Sequence, residues 1–304
     1  MKRLLFGLLL TLGLAVFSAP PAAGTEYTFD FQRTIDVSEP VVLKLTAAKG
    51  NITVTGGDDD RVVIEAVKTV RASNHDEAQE VADHIEIKVR HSDHEVVVET
   101  NYLRMVNRSR SFWSKLLGTG GSNSFGSVHY RITVPTRTSV SILSTEAEVT
   151  VSSIEGETLI ENTTGSIRGE YLFGPVTVIQ STGDIDLQWI EGDIRLKSTS
   201  SEISIIQVKG AIDLSTSAGT VFVRTELDSP KDYFVQTTSG SITFSVPGRS
   251  SGVLDIETDS GEIRTQLPVT IRSVSRKRLV GEFGNGGPVV SLSSVTGDVD
   301  VNLY

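Results

Sequence analysis

The sequence predicts an all-β fold: a parallel β-solenoid with two-strand coils of about 18 residues. Three observations point to it. Small residues recur every nine positions, at Ala147, Gly156, Gly165, Gly174, Gly183, Gly192, Ser201, Gly210 and Gly219. Each opens a run in which apolar residues alternate with polar ones, the period of a strand with one buried face. The composition, with 27 glycines, 9 prolines and only 6% aromatics, suits many short strands broken by tight turns.

The strand assignment follows from the second and fourth residues after each mark. These are Val149/Val151, Ile167/Gly169, Ile185/Leu187, Ile203/Ile205 and Val221/Val223 in one half-repeat. In the other they are Thr158/Ile160, Val176/Val178, Ile194/Leu196 and Ile212/Leu214. The halves differ seven residues after the mark. One has Ile154, Leu172, Ile190 and Val208, which predicts an aliphatic corner. The other has Thr163, Ser181, Thr199 and Ser217, which predicts a corner of stacked hydroxyls bonding to the backbone. The true repeat is therefore eighteen. Glycine at the corners permits positive φ, successive coils stack at roughly 4.8 Å, and no coil is expected to fold without its neighbours. Later marks at Gly240, Gly261 and Gly297 are spaced 21, 21 and 36 from the one before, which reads as two lengthened coils and a doubled one with an insertion.

The remainder falls into place in order. Residues 1–24 read as a secretory signal, with Lys2 and Arg3 before an apolar core and small residues around Ala22 and Gly24. Residues 25–135 read as an N-terminal β-rich part. It carries a short helix at about 74–84, capped by Ser73 or Asn74, with Ala78, Val81, Ala82 and Ile85 on one face. "IEIKVRHSDHEVVVET" reads as a hairpin, residues 101–126 as a long loop, and "VHYRITVP" as a returning strand. Residues 136–304 read as regular solenoid, and a final strand near Val299–Leu303 is expected to leave a sheet edge open.

The stretch "VHYRITVP", the Ser/Thr-rich link after it, the tandem Gly-x-Ile-x-Leu strands and the early "KGNITVTG" resemble the bacterial "putative adhesin" family of β-strand-repeat proteins, whose domain has no assigned function. The resemblance spans roughly residues 40–304. It implies a right-handed β-solenoid in an exported or envelope setting, and it implies no catalytic residues.

Charge and cysteine content narrow the partners. The net charge of −10 argues against nucleic acid, which needs a cationic surface. Without cysteine there is neither a disulfide nor a site for a lipid anchor after the signal. The location expected is periplasmic or extracellular.

Sites of chemistry are few. Asp184, Asp193 and Asp298 follow corner glycines, but a calcium roll needs several glycines per turn, and Ser166, Glu202, Ala211 and Thr220 stand at equivalent places. Those aspartates read as a solvated face. Asp184 is expected beside Glu202, one coil away. Arg168–Asp186 and Arg195–Asp213 are expected as cross-strand charge ladders. His84, His91 and His94 read as solvated, and "GGDDDR" at 56–61 as a turn. No metal, cofactor or catalytic set is assigned. Two basic segments stand out in this acidic chain. Arg104, Arg108, Arg110 and Lys115 surround Phe112 and Trp113, and Arg276, Lys277 and Arg278 lie in the insertion at 268–288. Such segments suit an anionic surface, an acidic glycan or a protein partner, or else the first packs its aromatics over a solenoid flank.

The function expected is an exported, non-catalytic, adhesin-like binding or scaffold module of the cell envelope. The alternatives are a polysaccharide-acting enzyme on a β-helix scaffold and a structural protein assembling through its ends.

Overall fold

The computed structural model describes residues 24–102 and 126–304. Residues 1–23 of the segment read as a signal, and Arg104, Arg108, Arg110, Phe112, Trp113 and Lys115, lie outside the described residues. The fold is a parallel β-solenoid with one short helix. The chain opens with β1 (Thr25–Asp36), β2 (Val41–Gly57), β3 (Arg61–Ala72), α1 (His75–Asp83), β4 (Ile85–His91), β5 (Glu95–Tyr102), β6 (Ser127–Pro135) and β7 (Thr138–Glu155). β2 and β7 are each a whole coil, bent at Gly50 and Ala147, and they lie in parallel register from Val41↔Thr138 to Thr55↔Ser152.

Six regular half-coils follow the small-residue marks: β8 (Thr158–Thr164), β9 (Ile167–Phe173), β10 (Val176–Thr182), β11 (Ile185–Glu191), β12 (Ile194–Ser200) and β13 (Ile203–Lys209). Then come β14 (Ile212–Ala218), β15 (Val221–Thr225), β16 (Tyr233–Ser239), β17 (Ile242–Val246), β18 (Gly252–Ser260) and β19 (Ile263–Thr265). The chain closes with β20 (Thr270–Val274), β21 (Arg278–Phe283), β22 (Val289–Thr296) and β23 (Val299–Leu303).

Two walls face each other across the core. The first runs β5, β2, β7, β8, β10, β12, β14, β16, β22, β18. The second runs β6, β2, β7, β9, β11, β13, β15, β17, β23, β19. The described residues thus form ten parallel layers, and inward Val, Ile and Leu columns such as Ile167, Ile185 and Ile203 fill the space between the walls.

The order of layers departs from chain order at both ends. β2 lies between β5/β6 and β7. The last coil, β22–β23, lies between β16–β17 and β18–β19. The expected open edge at Val299–Leu303 is therefore paired with β17 along its length and with β19 at Val299–Val301. The route explains it. β21 pairs antiparallel with β18, and a turn with positive φ at Gly284, Gly286 and Gly287 carries the chain over the start of β18 to its other side. Asn285 N donates to Ser251 Oγ at 3.1 Å and Val253 N to Pro288 O at 3.0 Å, fixing that crossing. β20, short and fully exposed, pairs with β21 beyond β18, a protected kind of edge.

At the other end β4 pairs antiparallel with β5, β3 with β6, and β1 with β3. Helix α1 packs on β3 and buries Ala78, Val81 and Ala82. Asn74 caps it by accepting from Glu77 N at 2.9 Å, while the Glu77 carboxylate reaches back to Ser73 N at 3.1 Å, a reciprocal box.

The corners decide how closely layers approach. A Cβ on Gly183, whose φ is 128°, would lie 2.0 Å from Gly165 O in the neighbouring layer. The column continues through Gly219, Gly240, Gly297 and Gly261, each against the carbonyl of the layer before.

The polar residues that serve this corner sit one place earlier than the sequence reading expects. Thr163, Ser181, Thr199 and Ser217 are exposed. The side chains turned inward are Asn162, Gln180, Ser198 and Thr216, because strand alternation from Thr158 or its equivalent carries on to that residue. They bond the carbonyls of the bend. Asn162 Nδ2 donates to Ala147 O and Thr164 O, both at 2.9 Å, and Gln180 Nε2 to Gly165 O and Thr182 O.

The aliphatic corner is built differently. Ile154, Leu172 and Ile190 are fully buried, as expected. Just before each, Ser153, Tyr171 and Trp189 take φ of 59°, 55° and 58°. That one residue resets the alternation. For bulky side chains this region costs about 1–2 kcal/mol. The next coil lacks the irregularity, with Ile190 opposite Gln207. Val208 is consequently not in the buried column; Gln207 is, donating to Gly192 O at 2.8 Å and accepting from Thr225 Oγ1 at 2.7 Å.

Replacing Gly183 with Ala should lower unfolding stability by about 3 kcal/mol, against less than about 0.5 kcal/mol for Ser181→Ala at an exposed neighbour. Chemical denaturation of the two variants checks this, and equal midpoints would refute the close-approach argument.

Candidate functional site

Of the sequence-predicted binding residues, Arg276, Lys277 and Arg278 lie at the tip of the β20–β21 hairpin, all exposed. Arg278 forms a two-point pair with Asp255, at 3.0 Å from Nε and 2.7 Å from an Nη. Lys277 Nζ lies 3.5 Å from Asp259. These two therefore face carboxylates of β18, the strand their hairpin covers, while Arg276 points to solvent.

The expected charge ladders are present, with Arg168–Asp186 and Arg195–Asp213 each at 3.7 Å. Asp184 and Glu202 are exposed and one layer apart, joined at the backbone by Ile185 N donating to Glu202 O at 2.9 Å. His84 Nδ1 lies 2.7 Å from Glu80 O and His94 Nδ1 2.7 Å from Ser38 O. Among the described residues no three His, Asp or Glu side chains gather as a metal-binding group.

A concavity of about 580 Å³ crosses the first wall. Its floor is the outward face of β10, β12 and β14, with Thr177, Arg195 and Asp213; Glu157, Pro175 and Asp193 border it at the corner, and Lys231, Asp232 and Phe234 form its far side. Asp193 holds its centre. One carboxylate oxygen accepts from Ala211 N at 2.9 Å and the other from Lys231 Nζ at 2.6 Å. The Ala211 backbone N–H first, and then the Lys231 ammonium, hold this carboxyl below the usual carboxylate range. Asp298 repeats the arrangement, accepting from Glu262 N at 2.9 Å, and is likewise lowered by that N–H above all. At Gly192–Asp193 and Gly297–Asp298 the pair is thus a staple between layers: the glycine turns and the aspartate bonds the N–H that emerges after the neighbouring corner.

The groove needed more than the repeat to find. Lys231 reaches it because the coil after Gly219 is three residues longer than eighteen and the extra residues fall in the 226–232 connection beside Asp193, while Phe234 stands in register with Asp213 on the next strand. The visible signal was that lengthened interval. Asp232 is itself engaged, accepting from Val289 N at 2.8 Å, so the same segment pins the inserted last coil.

The sequence from 42 to 302 matches the family model Toastrack DUF4097, nearly the whole described stack. The chain belongs to the Toastrack DUF4097 family. The matched span runs from the β2 coil to the β23 strand. Among solved structures, the chain is similar to one titled a "putative cell adhesion protein" from Clostridium sporogenes, at 11% identity over 91% of this chain and 100% of that one, with a TM-score of 0.28. It is also similar to one titled a "putative adhesin" from Bacteroides fragilis, at 11% identity over 91% and 97% of the two chains, with a TM-score of 0.41. No curated protein matches the chain.

Asp193→Asn keeps the acceptor for Ala211 N and loses the charge pairing with Lys231, an exposed pair worth about 1 kcal/mol or less. A carboxyl lowered in the folded state stabilises above its unfolded value, near 4, and that stabilisation is lost as pH falls through the folded value. The melting-temperature gap between wild type and D193N should therefore hold steady from about pH 7 to 5 and close below about pH 4. A gap that persists in strong acid would refute the electrostatic staple.

Proposed function

We propose that this chain is an exported, non-catalytic, adhesin-like binding or scaffold module of the bacterial cell envelope. The groove carries the reading. Its aspartates each meet a donor of the scaffold: Asp193 meets Ala211 N and Lys231, Asp232 meets Val289 N, and Asp213 meets Arg195. Glycoside hydrolysis asks for a carboxylic acid kept protonated opposite a free carboxylate. A groove whose aspartates are engaged by the scaffold suits recognition of a polar chain by shape and hydrogen bonding. Family membership supports the same reading through the fold. The basic, apolar sequence around residues 104–117 and the exposed Arg276 supply contacts for an anionic envelope component. Assembly through the last strand finds no support, since β23 lies between β17 and β19.

Incubating the secreted chain with sheared peptidoglycan, with lipopolysaccharide and with anionic phospholipid vesicles tests this. The expected result is retention on at least one polymer with its chain length unchanged. Cleavage abolished by Asp184→Asn or Glu202→Gln would replace the reading with the enzymatic one. Recovery of the chain from the cytoplasm, still carrying Lys2 and Arg3, would overturn export.

A further inference from the structure

On the second wall, away from the groove, two aromatic side chains stand in solvent. Tyr171 and Trp189 are 50% and 48% exposed, occupy equivalent places in adjacent layers, and have ring planes 5° apart with centroids separated by 6.5 Å. Both carry positive φ. Glycine or asparagine fits that backbone region with less strain than any aromatic. Serine fills the same place at Ser153, one layer earlier. The bend itself therefore does not ask for rings, and rings half in water give the core little. Strained, exposed aromatics at the same place in adjacent coils point to a ligand.

We propose that Tyr171 and Trp189 form a stacking platform for the pyranose rings of a glycan chain lying along the second wall. The inference rests on the binding reading above and names its ligand class. A pyranose with equatorial substituents presents an apolar C–H face and a rim of hydroxyls. The two near-parallel rings, one layer apart, offer two successive stacking places along the wall.

The rim finds its partners beside them on the same face. Arg168 lies 3.7 Å from Asp186 and 4.0 Å from Glu170, and Gln188 Nε2 donates to both oxygens of Asp186 at 3.0 and 3.1 Å. Donors and acceptors thus alternate along the strip. Phe173, 41% exposed, extends it toward the corner. The carboxylates of Glu170 and Asp186 beside the rings disfavour an anionic lipid surface. The strip is also narrower than the broad apolar patch that protein partners bury.

The test is titration of the intact secreted chain with hexasaccharides of β-1,4-linked N-acetylglucosamine and of β-1,4-linked glucose, followed by calorimetry and Trp fluorescence. At least one should bind at millimolar concentration or below. The double variant Tyr171→Gly/Trp189→Gly relieves the backbone strain, so it should melt within a few degrees of wild type while its affinity falls at least tenfold. Trp189→Phe should keep part of the affinity.

Unchanged affinity in the double glycine variant overturns the platform, as does failure of wild type to bind either sugar. If wild type is still retained on an envelope polymer in that case, the binding module stands and only the glycan platform falls. Retention on a protein fraction of the envelope that the double variant loses, without sugar binding, makes the strip a protein contact and overturns the glycan reading. Retention on nothing removes the reading beneath it as well.

Discussion

Successive coils of this chain come closer at their corners than a side chain would permit. Gly165 N donates to Thr182 O at 3.2 Å, Gly174 N to Glu191 O and Gly192 N to Lys209 O at 2.9 Å, and each bond continues the wall's ladder around the bend. A Cβ on Gly192 would lie 2.0 Å from Gly174 O. The ladder closes only where that atom is missing or the local backbone turns otherwise, as at Ala147 and Ser201. Register along both walls then follows. Columns of aliphatic residues meet inside, and outward residues fall into rows such as Arg168–Asp186.

The polar interior follows from the same constraint. Bending the chain turns carbonyls away from strand partners, and a buried carbonyl without a donor is costly. Asn162, Gln180 and Gln207 supply amide donors at these bends, and Ser294 and Thr258 supply hydroxyls, at 2.9 Å from Gly240 O and Gly297 O. Asp193 and Asp298 do the reciprocal task for backbone N–H groups. Where the aliphatic corner is used, the backbone instead takes a left-handed residue, and that residue is the one thrust outward. Architecture and the aromatic strip on the second wall thus have one origin: the bend that buries Leu172 and Ile190 exposes Tyr171 and Trp189.

The period of nine, the alternation of two corner types, the β2 coil around Gly50, helix α1 with its buried alanines and the β4–β5 hairpin were all legible in the sequence, because each leaves a pattern in polarity or in glycine spacing. The corner columns were legible only to within one residue. Parity of a strand can be counted from Thr158 to Asn162, but a left-handed residue at Trp189 resets the count and leaves no signature when its side chain is aromatic. Layer order was not legible at all. Any two coils of this grammar can pair in parallel register, so spacing says how many coils exist and is silent on which lies against which. The groove escaped for a related reason, since Lys231 lies in the lengthened 226–232 connection, outside the repeat.

The interleaved end is the boldest feature of the stack, and it can be measured directly because the chain has no cysteine. Thr243, Asp300 and Arg264 occupy the same outward position on β17, β23 and β19, with Thr243 paired to Asp300 and Asp300 to Arg264. Neighbouring positions fall within disulfide reach, whereas positions two layers apart, roughly 10 Å, do not. Cysteine pairs at 243/300 and 300/264 should cross-link on mild oxidation, and the 243/264 pair should not, as read by mass spectrometry of the digested protein. Cross-linking of 243/264 with no bond at 243/300 would mean that the coils stack in chain order, and would contradict this account of the fold.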